Sequence, residues 1–260
     1  GDVSLLHAVY QNQCFDPHFH EGHVIGVIEN GQLGFDYRGE KVVAAKGEIN
    51  IADPGEVHNG FNVSEEGWQY RMFYLKPGHL ENICNDLCDR QEPMPFFKKG
   101  VLHDKNLALR IRNLHRDFSD PEISLLEKES RFNTLITDFI IRHGTDRVRV
   151  KPDKTEPGII CRTRSYIEEH YDSQVCLEDL SRNAGVSRYY LLRVFARQTG
   201  MTPHSYLNHI RVKNVQAKLN NKIPIAQAAV STGFYDQSHL NRVFKKVTGI
   251  TPGQYFKAVQ

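Results

Sequence analysis

Cysteine is scarce in this sequence of 260 residues: there are only five, and no two form a Cys-x-x-Cys pair. The odd, scattered set excludes a disulfide framework or a zinc ribbon, and it favours the reducing cytoplasm as the location. Cys84 and Cys88 lie four residues apart, and we interpret them as small buried hydrophobic residues rather than metal ligands. The five are Cys14, Cys84, Cys88, Cys161 and Cys176.

Long apolar runs are also lacking. None approaches the roughly 20 residues that a membrane-spanning helix needs, and no secretory leader pattern opens the chain. We therefore expect a protein that is neither secreted nor embedded in a membrane. Its residues are 40% hydrophobic and 25% charged, a composition that can bury a folded core.

Acidic residues are scarce in the C-terminal part of the chain. From Gly158 onward, 14 Lys and Arg face 6 Asp and Glu, although the net charge of the whole chain is only +2. From Leu180 onward, Asp236 is the single acid against 12 basic residues. Such a bias suits a polyanionic partner, so this part is expected to bind double-stranded DNA.

Hydrophobic periodicity divides the chain into segments, and the predicted fold class is α+β with several domains. Residues 1–78 contain short apolar stretches between turn signals, which predicts an antiparallel β barrel. Residues 79–144 follow a helical pattern, 145–157 are a charged linker with two prolines, and 158–260 are all-helical. The turn signals are Asn30-Gly31, Arg38-Gly39, Lys46-Gly47 and Pro54-Gly55.

Residues 79–144 are interpreted as a dimerisation segment. Leu107, Ile111 and Leu114 form a narrow apolar stripe on one predicted helix, as in a helix that pairs with a second copy. Packing of the stripe onto the barrel explains it equally well.

The C-terminal segment repeats itself. The stretch "AGVSRYYLLRVFARQTGMTPHSYL" aligns with "TGFYDQSHLNRVFKKVTGITPGQYF", so that Gly185 matches Gly233 and Arg193 matches Arg242. Each copy predicts helix, tight turn, helix, with glycine in the turn. A connecting helix of about 17 residues, roughly 26 Å, would hold the two second helices near one turn of DNA apart.

The second helix of each copy is the predicted DNA reader. One face carries the core residues, Leu191, Val194 and Phe195 in the first copy and Leu240, Val243 and Phe244 in the second. The opposite face is predicted to be exposed and rich in groups that bind base edges and phosphates. The predicted DNA-binding residues are Arg188, Tyr189, Leu192, Arg193, Arg197, Gln237, Ser238, Asn241, Arg242, Lys245 and Lys246.

The stretch "GFYDQSHLNRVFKKVTGITPGQYF" resembles the signature of the AraC/XylS family of bacterial transcription regulators. The resemblance implies that outward residues of both second helices read bases, here Tyr189, Leu192 and Arg193, and Gln237, Ser238 and Arg242. Leu192 stands where a polar side chain would read more sequence. The first helix is therefore expected to rely on Arg193 and on apolar contact with thymine methyl groups.

The N-terminal segment resembles a cupin barrel, the usual sensor domain of that family. "HFH" matches the first cupin motif and "GEINIADPGEVHNGFN" much of the second, but Val24 and Ile25 stand where the enzymes have a carboxylate. Imidazoles alone suit Zn²⁺ or Fe²⁺, so a metal remains an alternative at His18, His20 and His58. The favoured interpretation is a barrel with neither metal nor cofactor that holds a small polar effector. Its predicted lining is His18, His20, Tyr37, His58, Trp68 and Arg71.

Two assignments within this barrel stay open or negative. Arg71 lies on an alternating strand, where it points either into the barrel or to its surface. His23 is expected to be a strand-end histidine rather than a ligand.

The function predicted from these patterns is that of a cytoplasmic, ligand-responsive transcription regulator that is not an enzyme. Its predicted partners are a DNA operator, a small-molecule effector, a second copy of the chain and RNA polymerase, which it would contact as an activator. The alternative is a metal-dependent cupin enzyme or metal sensor joined to a DNA-binding domain.

Overall fold

The computed structural model describes residues 3–87, 95–144 and 157–258, and the chain divides into two compact units. One unit comprises residues 1–120 with 131–152, and the other comprises 121–130 with 153–260. The predicted linker, 145–157, lies outside the described residues except for Pro157, at which a helix begins. None of the helices in these ranges is long and apolar enough to span a bilayer.

The N-terminal unit is built on an antiparallel sheet. The described residues contain the strands β1 (Val3–Tyr10), β2 (Phe15–His18), β3 (Val24–Tyr37), β4 (Glu40–Ala45), β5 (Ile49–Ala52), β6 (His58–Asn62), β7 (Trp68–Leu75) and β8 (Val101–Leu102). The longest, β3, pairs with β5 and β7 through its first half and with β4 and β6 through its second half. Its apolar side chains therefore contribute to both halves of the sheet.

Three of the four predicted turns are confirmed, and one is wrong. Arg38-Gly39, Lys46-Gly47 and Pro54-Gly55 connect successive strands. Asn30-Gly31 instead lies inside β3, at a bulge in its pairing with β7. Gly31 has φ 70°, and a β-carbon there would lie 1.9 Å from the carbonyl oxygen of Gly67, so the close approach of β7 requires glycine.

Helices follow the sheet as predicted. They are α1 (His79–Leu87), α2 (Lys105–Phe118) and α3 (Leu125–His143), and α2 packs on β3 and β7. Leu107, Ile111 and Leu114 are at most 4% exposed in the unit. Of the two uses that the sequence leaves open for this stripe, the structure shows packing onto the unit's own core.

The C-terminal unit is helical. Its helices are α4 (Pro157–Glu169), α5 (Leu177–Ala184), α6 (Arg188–Thr199), α7 (Pro203–Asn220), α8 (Ile225–Val230), α9 (Gln237–Thr248) and α10 (Pro252–Ala258). The pairs α5–α6 and α8–α9 form the two predicted helix-turn-helix copies, and α7 is the predicted connecting helix. The predicted core faces of α6 and α9 are confirmed, because all six of their residues are at most 8% exposed.

Candidate functional sites: a DNA-reading surface and a histidine cavity

The helices α6 and α9 begin and end in the same way. Ser187 and Asp236 are their N-caps, and each side chain accepts a hydrogen bond from the backbone two positions inside the helix, at Tyr190 and His239. Gly200 and Gly249 end them in the left-handed conformation. This shared capping sets equal lengths, so equivalent positions of the two helices can be compared directly.

The outward face of α9 is open, as predicted. Gln237, Ser238, Asn241 and Arg242 are exposed along it, and Lys245 and Lys246 continue it at the C-terminal end. Amide and guanidinium groups can each form paired hydrogen bonds with a base edge, while lysine suits phosphate. This face therefore combines groups for base recognition with groups for backbone binding.

The outward face of α6 is only partly open, which corrects two predictions. Tyr189 is 9% exposed and Leu192 is 7% exposed, and Leu192 belongs to a hydrophobic cluster with Leu126 and Leu180. Leu192 is therefore part of the core rather than a surface for thymine methyl groups. Arg188 and Arg193 are half-buried and Arg197 is exposed. We call these three arginines and the six residues of α9 the DNA-reading surface.

Arg242 is engaged by an acidic residue of the same unit. Its Nη1 lies 2.8 Å from Glu122 Oε2, and its Nη2 donates to the carbonyl oxygen of Glu122 at 3.2 Å. The side chain is still 48% exposed, and such pairs contribute no more than about 1 kcal/mol. Contact with DNA would replace Glu122 by a base or a phosphate.

A buried arginine joins the two helix-turn-helix copies. Arg211 lies on α7, is 4% exposed, and donates to the carbonyl oxygens of Tyr171 (2.7 Å) and Ser173 (2.8 Å). Its guanidinium also lies beside Gly233 and 5.9 Å from the ring centroid of Phe234 in the second copy. Burial lowers the pKa of Arg211 to about 10, so it stays charged at neutral pH. The sequence shows Arg211 as one more cation, and its structural role depends on contacts made in the folded unit.

In the N-terminal unit, three of the predicted ligand-binding residues come together. His18 on β2 is the cross-strand partner of His58 on β6, and His20 follows β2 with its carbonyl bonded to the amide of Gly55 (2.8 Å). The ring centroids of His18 and His58 are 4.6 Å apart, and that of His20 is 5.1 Å from each. One ring nitrogen from each residue lies within 4.8 Å of the others.

The protonation of these imidazoles is set by their surroundings. The Nδ1 hydrogens of His18 and His58 donate to the carbonyl oxygens of Asp16 (2.8 Å) and Glu56 (2.9 Å). Burial, with the neighbouring His58 and His18, lowers the pKa of His20 to about 4, and burial also lowers the pKa of His58. Uncharged rings present Nε2 lone pairs, which can bind a hydrogen-bond donor or a cation.

The three rings line a cavity of about 70 Å³, which we call the histidine cavity. Asn50 lines it from β5, and its Oδ1 is buried with no hydrogen-bond partner among the described residues. Tyr70, Met72 and Tyr74 line it from β7. The sequence analysis missed Asn50 and Tyr74. The signal for Asn50 was a polar residue between Ile49 and Ile51, all three of which are buried.

The other three predicted effector-binding residues lie away from this cavity. Trp68 is buried behind Phe15, with its ring 6.1 Å away, and the Tyr37 hydroxyl donates to Asp53 at 3.3 Å. Arg71 points to the opposite side of β7 from Tyr70 and Met72, because successive side chains on a strand alternate. The structure therefore does not place these three in the same site as the histidines.

Arg71 instead belongs to a charge cluster around Glu29. Its Nε lies 2.9 Å from Glu29, and Arg116 Nη2 lies 2.8 Å from the same carboxylate. Burial alone would raise the pKa of Glu29, but the bonds from Arg71 and the charge of Arg116 lower it. His23 is also outside the cavity: it is 1% exposed, bonds the carbonyl of Pro95 at 3.1 Å, and burial lowers its pKa to about 4.

Comparison with known proteins identifies both units. A family model described as an AraC-like ligand binding domain matches residues 1–138, and one described as a helix-turn-helix domain matches residues 180–258. The uncharacterized HTH-type transcriptional regulator YbfI of Bacillus subtilis is 33% identical over 231 residues, which cover 88% of this chain and 82% of the relative. This chain belongs to the AraC family of transcriptional regulators.

Other AraC-family proteins are more distant. The arabinose operon regulatory protein of Escherichia coli K12 is 23% identical over 242 residues, covering 90% of this chain and 80% of the relative. The crystal structure of ToxT from Vibrio cholerae O395 aligns over 100% of this chain and 98% of that chain, with 12% identity and a TM-score of 0.40.

Family membership confirms the fold class and the general function predicted from the sequence. The chain is a ligand-responsive, DNA-binding transcriptional regulator, with a β-sheet N-terminal domain and a helical DNA-binding region. Its relatives are regulators of transcription.

Proposed function

We propose that this regulator recognises its operator through the DNA-reading surface and responds to a small polar ligand in the histidine cavity. The exposed row along α9 carries the proposal, because a fold could pack equally well with any solvated residues at Gln237, Ser238, Asn241 and Arg242. Amide, hydroxyl and guanidinium groups at these positions can distinguish base pairs in a major groove.

The half-buried arginines of α6 complete this surface. The connecting helix α7 has 18 residues, which corresponds to roughly 27 Å and supports placement of both reading helices on one face of a duplex. Base readout is assigned to Arg193 and Arg242, and phosphate contact to Arg197, Lys245 and Lys246.

The regulatory part of the proposal concerns partners. The chain acts as a homodimer that activates transcription through contact with RNA polymerase, and it works in the cytoplasm, where the chromosome lies. It catalyses no reaction: the histidine cavity serves recognition. Ligand binding favours one arrangement of the reading helices in the dimer, with a coupling free energy of about 1–3 kcal/mol.

The test begins with selection of bound genomic fragments by the full chain, followed by affinity measurements on single-base variants of the selected site. We expect Arg242→Ala to lose about 1–3 kcal/mol and to tolerate substitution at one base pair. Lys246→Ala should weaken every site equally and make the salt dependence shallower by about one unit.

Lys213→Ala is the matched control, since Lys213 is an exposed cation on α7 outside both reading helices. If Arg242→Ala discriminates among operator variants as the wild type does, base readout by Arg242 is wrong. Sedimentation of the full chain tests the dimer, and a monomer at micromolar concentration on its operator would contradict it.

A further inference from the structure

The arrangement of His18, His20 and His58 has the dimensions of a metal centre. Three imidazoles bound to one ion at about 2.1 Å have ring centroids about 4.5 Å apart at octahedral angles and about 5.2 Å apart at tetrahedral angles. The three observed separations, 4.6, 5.1 and 5.1 Å, fall within this interval. Small side-chain rotations would bring three nitrogens, now within 4.8 Å of one another, onto a common ion.

The backbone orients two of these rings for coordination. His18 and His58 each donate Nδ1–H to the carbonyl of the residue two positions earlier, Asp16 and Glu56. Metal-binding histidines usually donate their second nitrogen to a carbonyl or carboxylate in this way, which fixes the tautomer and the direction of the ligating nitrogen. A histidine cluster that served only packing would not need the same bond twice.

The cavity beside the rings is too small for an ordinary metabolite. Its volume of about 70 Å³ compares with roughly 300–1,000 Å³ for typical ligand pockets. It is large enough for an ion with water or one small anion. The buried, unpartnered Oδ1 of Asn50 lines the same cavity and can accept a hydrogen bond from a metal-bound water or a ligand hydroxyl.

We propose that His18, His20 and His58 bind one divalent transition-metal ion, best matched by Zn²⁺, with an open coordination position that faces Asn50. Nitrogen ligands suit this class of ion, and no carboxylate lines the cavity among the residues that the structure describes. The ion therefore keeps its double positive charge and attracts a small anion to the open position. This inference rests on the proposed function, since it makes the ion part of the effector site, and it replaces the metal-free interpretation of the sequence.

The first experiment is equilibrium dialysis of the chelator-treated full chain against Zn²⁺, with elemental analysis. One ion per chain is expected. His20→Gln and His58→Gln should each weaken binding by at least about 100-fold, more than the loss of a supporting group around a metal ligand. His103→Gln is the matched control: its side chain is 72% exposed and pairs with Glu48 elsewhere on the same unit.

The second experiment reads the coordination sphere directly. Co²⁺ bound to the wild-type chain should give the visible absorption of a nitrogen-ligated site, and azide should shift it by entering the open position. Asn50→Leu should retain stoichiometric Co²⁺ but change the azide response. Because this reading uses the wild-type chain, it remains decisive if a histidine variant does not fold, which circular dichroism will show.

Substoichiometric Zn²⁺, unchanged affinity in His20→Gln, or a Co²⁺ spectrum identical to that of the free ion would each overturn the metal site. Operator binding is measured on the same samples. Intact operator binding without a metal would contradict this inference alone, whereas absence of operator binding would contradict the proposed function.

Discussion

The two helix-turn-helix copies share a scaffold but present different surfaces. Their second helices, α6 and α9, have equivalent N-caps, equivalent C-terminal glycines and the same buried triplet. At the equivalent outward positions, however, Leu192 is buried where Asn241 is exposed, and Tyr189 is buried where Ser238 is exposed. Repetition of a motif therefore preserves its backbone and core, while each copy's surroundings decide which outward side chains reach solvent.

The turns differ as well. Gly185 and Gly233 both have positive φ, 70° and 82°. A β-carbon at Gly185 would meet nothing within 4 Å, whereas one at Gly233 would lie 2.7 Å from the carbonyl oxygen of Tyr171 and 2.8 Å from Arg211. The second turn is thus wedged against the rest of the unit, and the first is open.

The largest expected effect separates the two outward leucine and asparagine positions. Leu192→Ala should lower the free energy of unfolding of the C-terminal unit by about 2–5 kcal/mol, because it leaves a cavity in the core. Asn241→Ala should change it by less than about 0.5 kcal/mol and should instead weaken operator binding. Hydrogen exchange of α6 and α9 amides in the full chain measures the first quantity. Equal, small effects of both substitutions would show that Leu192 is a surface residue after all.

The second prediction compares the glycines. Gly185→Ala should destabilise the unit by about 1 kcal/mol, the usual penalty for a side chain in the left-handed region. Gly233→Ala should cost about 1–3 kcal/mol more, because Tyr171 and Arg211 must move. Denaturant unfolding followed by far-ultraviolet circular dichroism provides the measurement. If Gly185→Ala is the more damaging substitution, the second turn is not wedged as described.

The third prediction concerns pH. Burial, with the charges of Arg242 and Arg211, lowers the pKa of His239 despite the opposing Asp236 and Glu127. The unfolded chain therefore binds a proton near pH 6.5 that the folded unit refuses, so stability falls as the pH drops below that value. The slope from one such group is at most about 1.4 kcal/mol per pH unit.

His239→Gln should flatten this dependence, and the first copy should contribute none of it because Tyr190 stands at the equivalent position. Unfolding curves between pH 7 and 5 measure the slope, with exposed His209→Gln as the control. An unaltered slope in His239→Gln would assign the effect to another histidine.

The smallest effect is expected at Glu122. Glu122→Gln removes the charge that Arg242 must leave when it binds DNA, and the exposed pair contributes at most about 1 kcal/mol. Operator affinity should therefore rise by up to about five-fold, and the gain should vanish when Arg242 is alanine. A gain that persists in the Arg242→Ala background would exclude this pairing as its cause.

Local pattern was sufficient for the framework of the molecule. The apolar spacing of Leu240, Val243 and Phe244 predicted a buried helix face, and the capping residues and turn glycines marked where the helices begin and end. Three turn dipeptides were also predicted correctly, since their conformational preferences are local. Asn30-Gly31 was misassigned because the same preference also serves a bulge within a long strand, and only the position of β7 distinguishes the two.

The sequence by itself determined the helix-turn-helix repeat, its basic character and the presence of three histidines near two strand ends, since these depend on residue order and short-range periodicity. Tertiary structure decided what each side chain faces. Strand pairing placed His18 opposite His58 and brought Asn50 beside them, while it turned Arg71 away toward Glu29. Packing buried Leu192 and surrounded Arg211. These outcomes depend on residues distant in the chain, and a periodic pattern carries no information about which of two faces a distant element will cover.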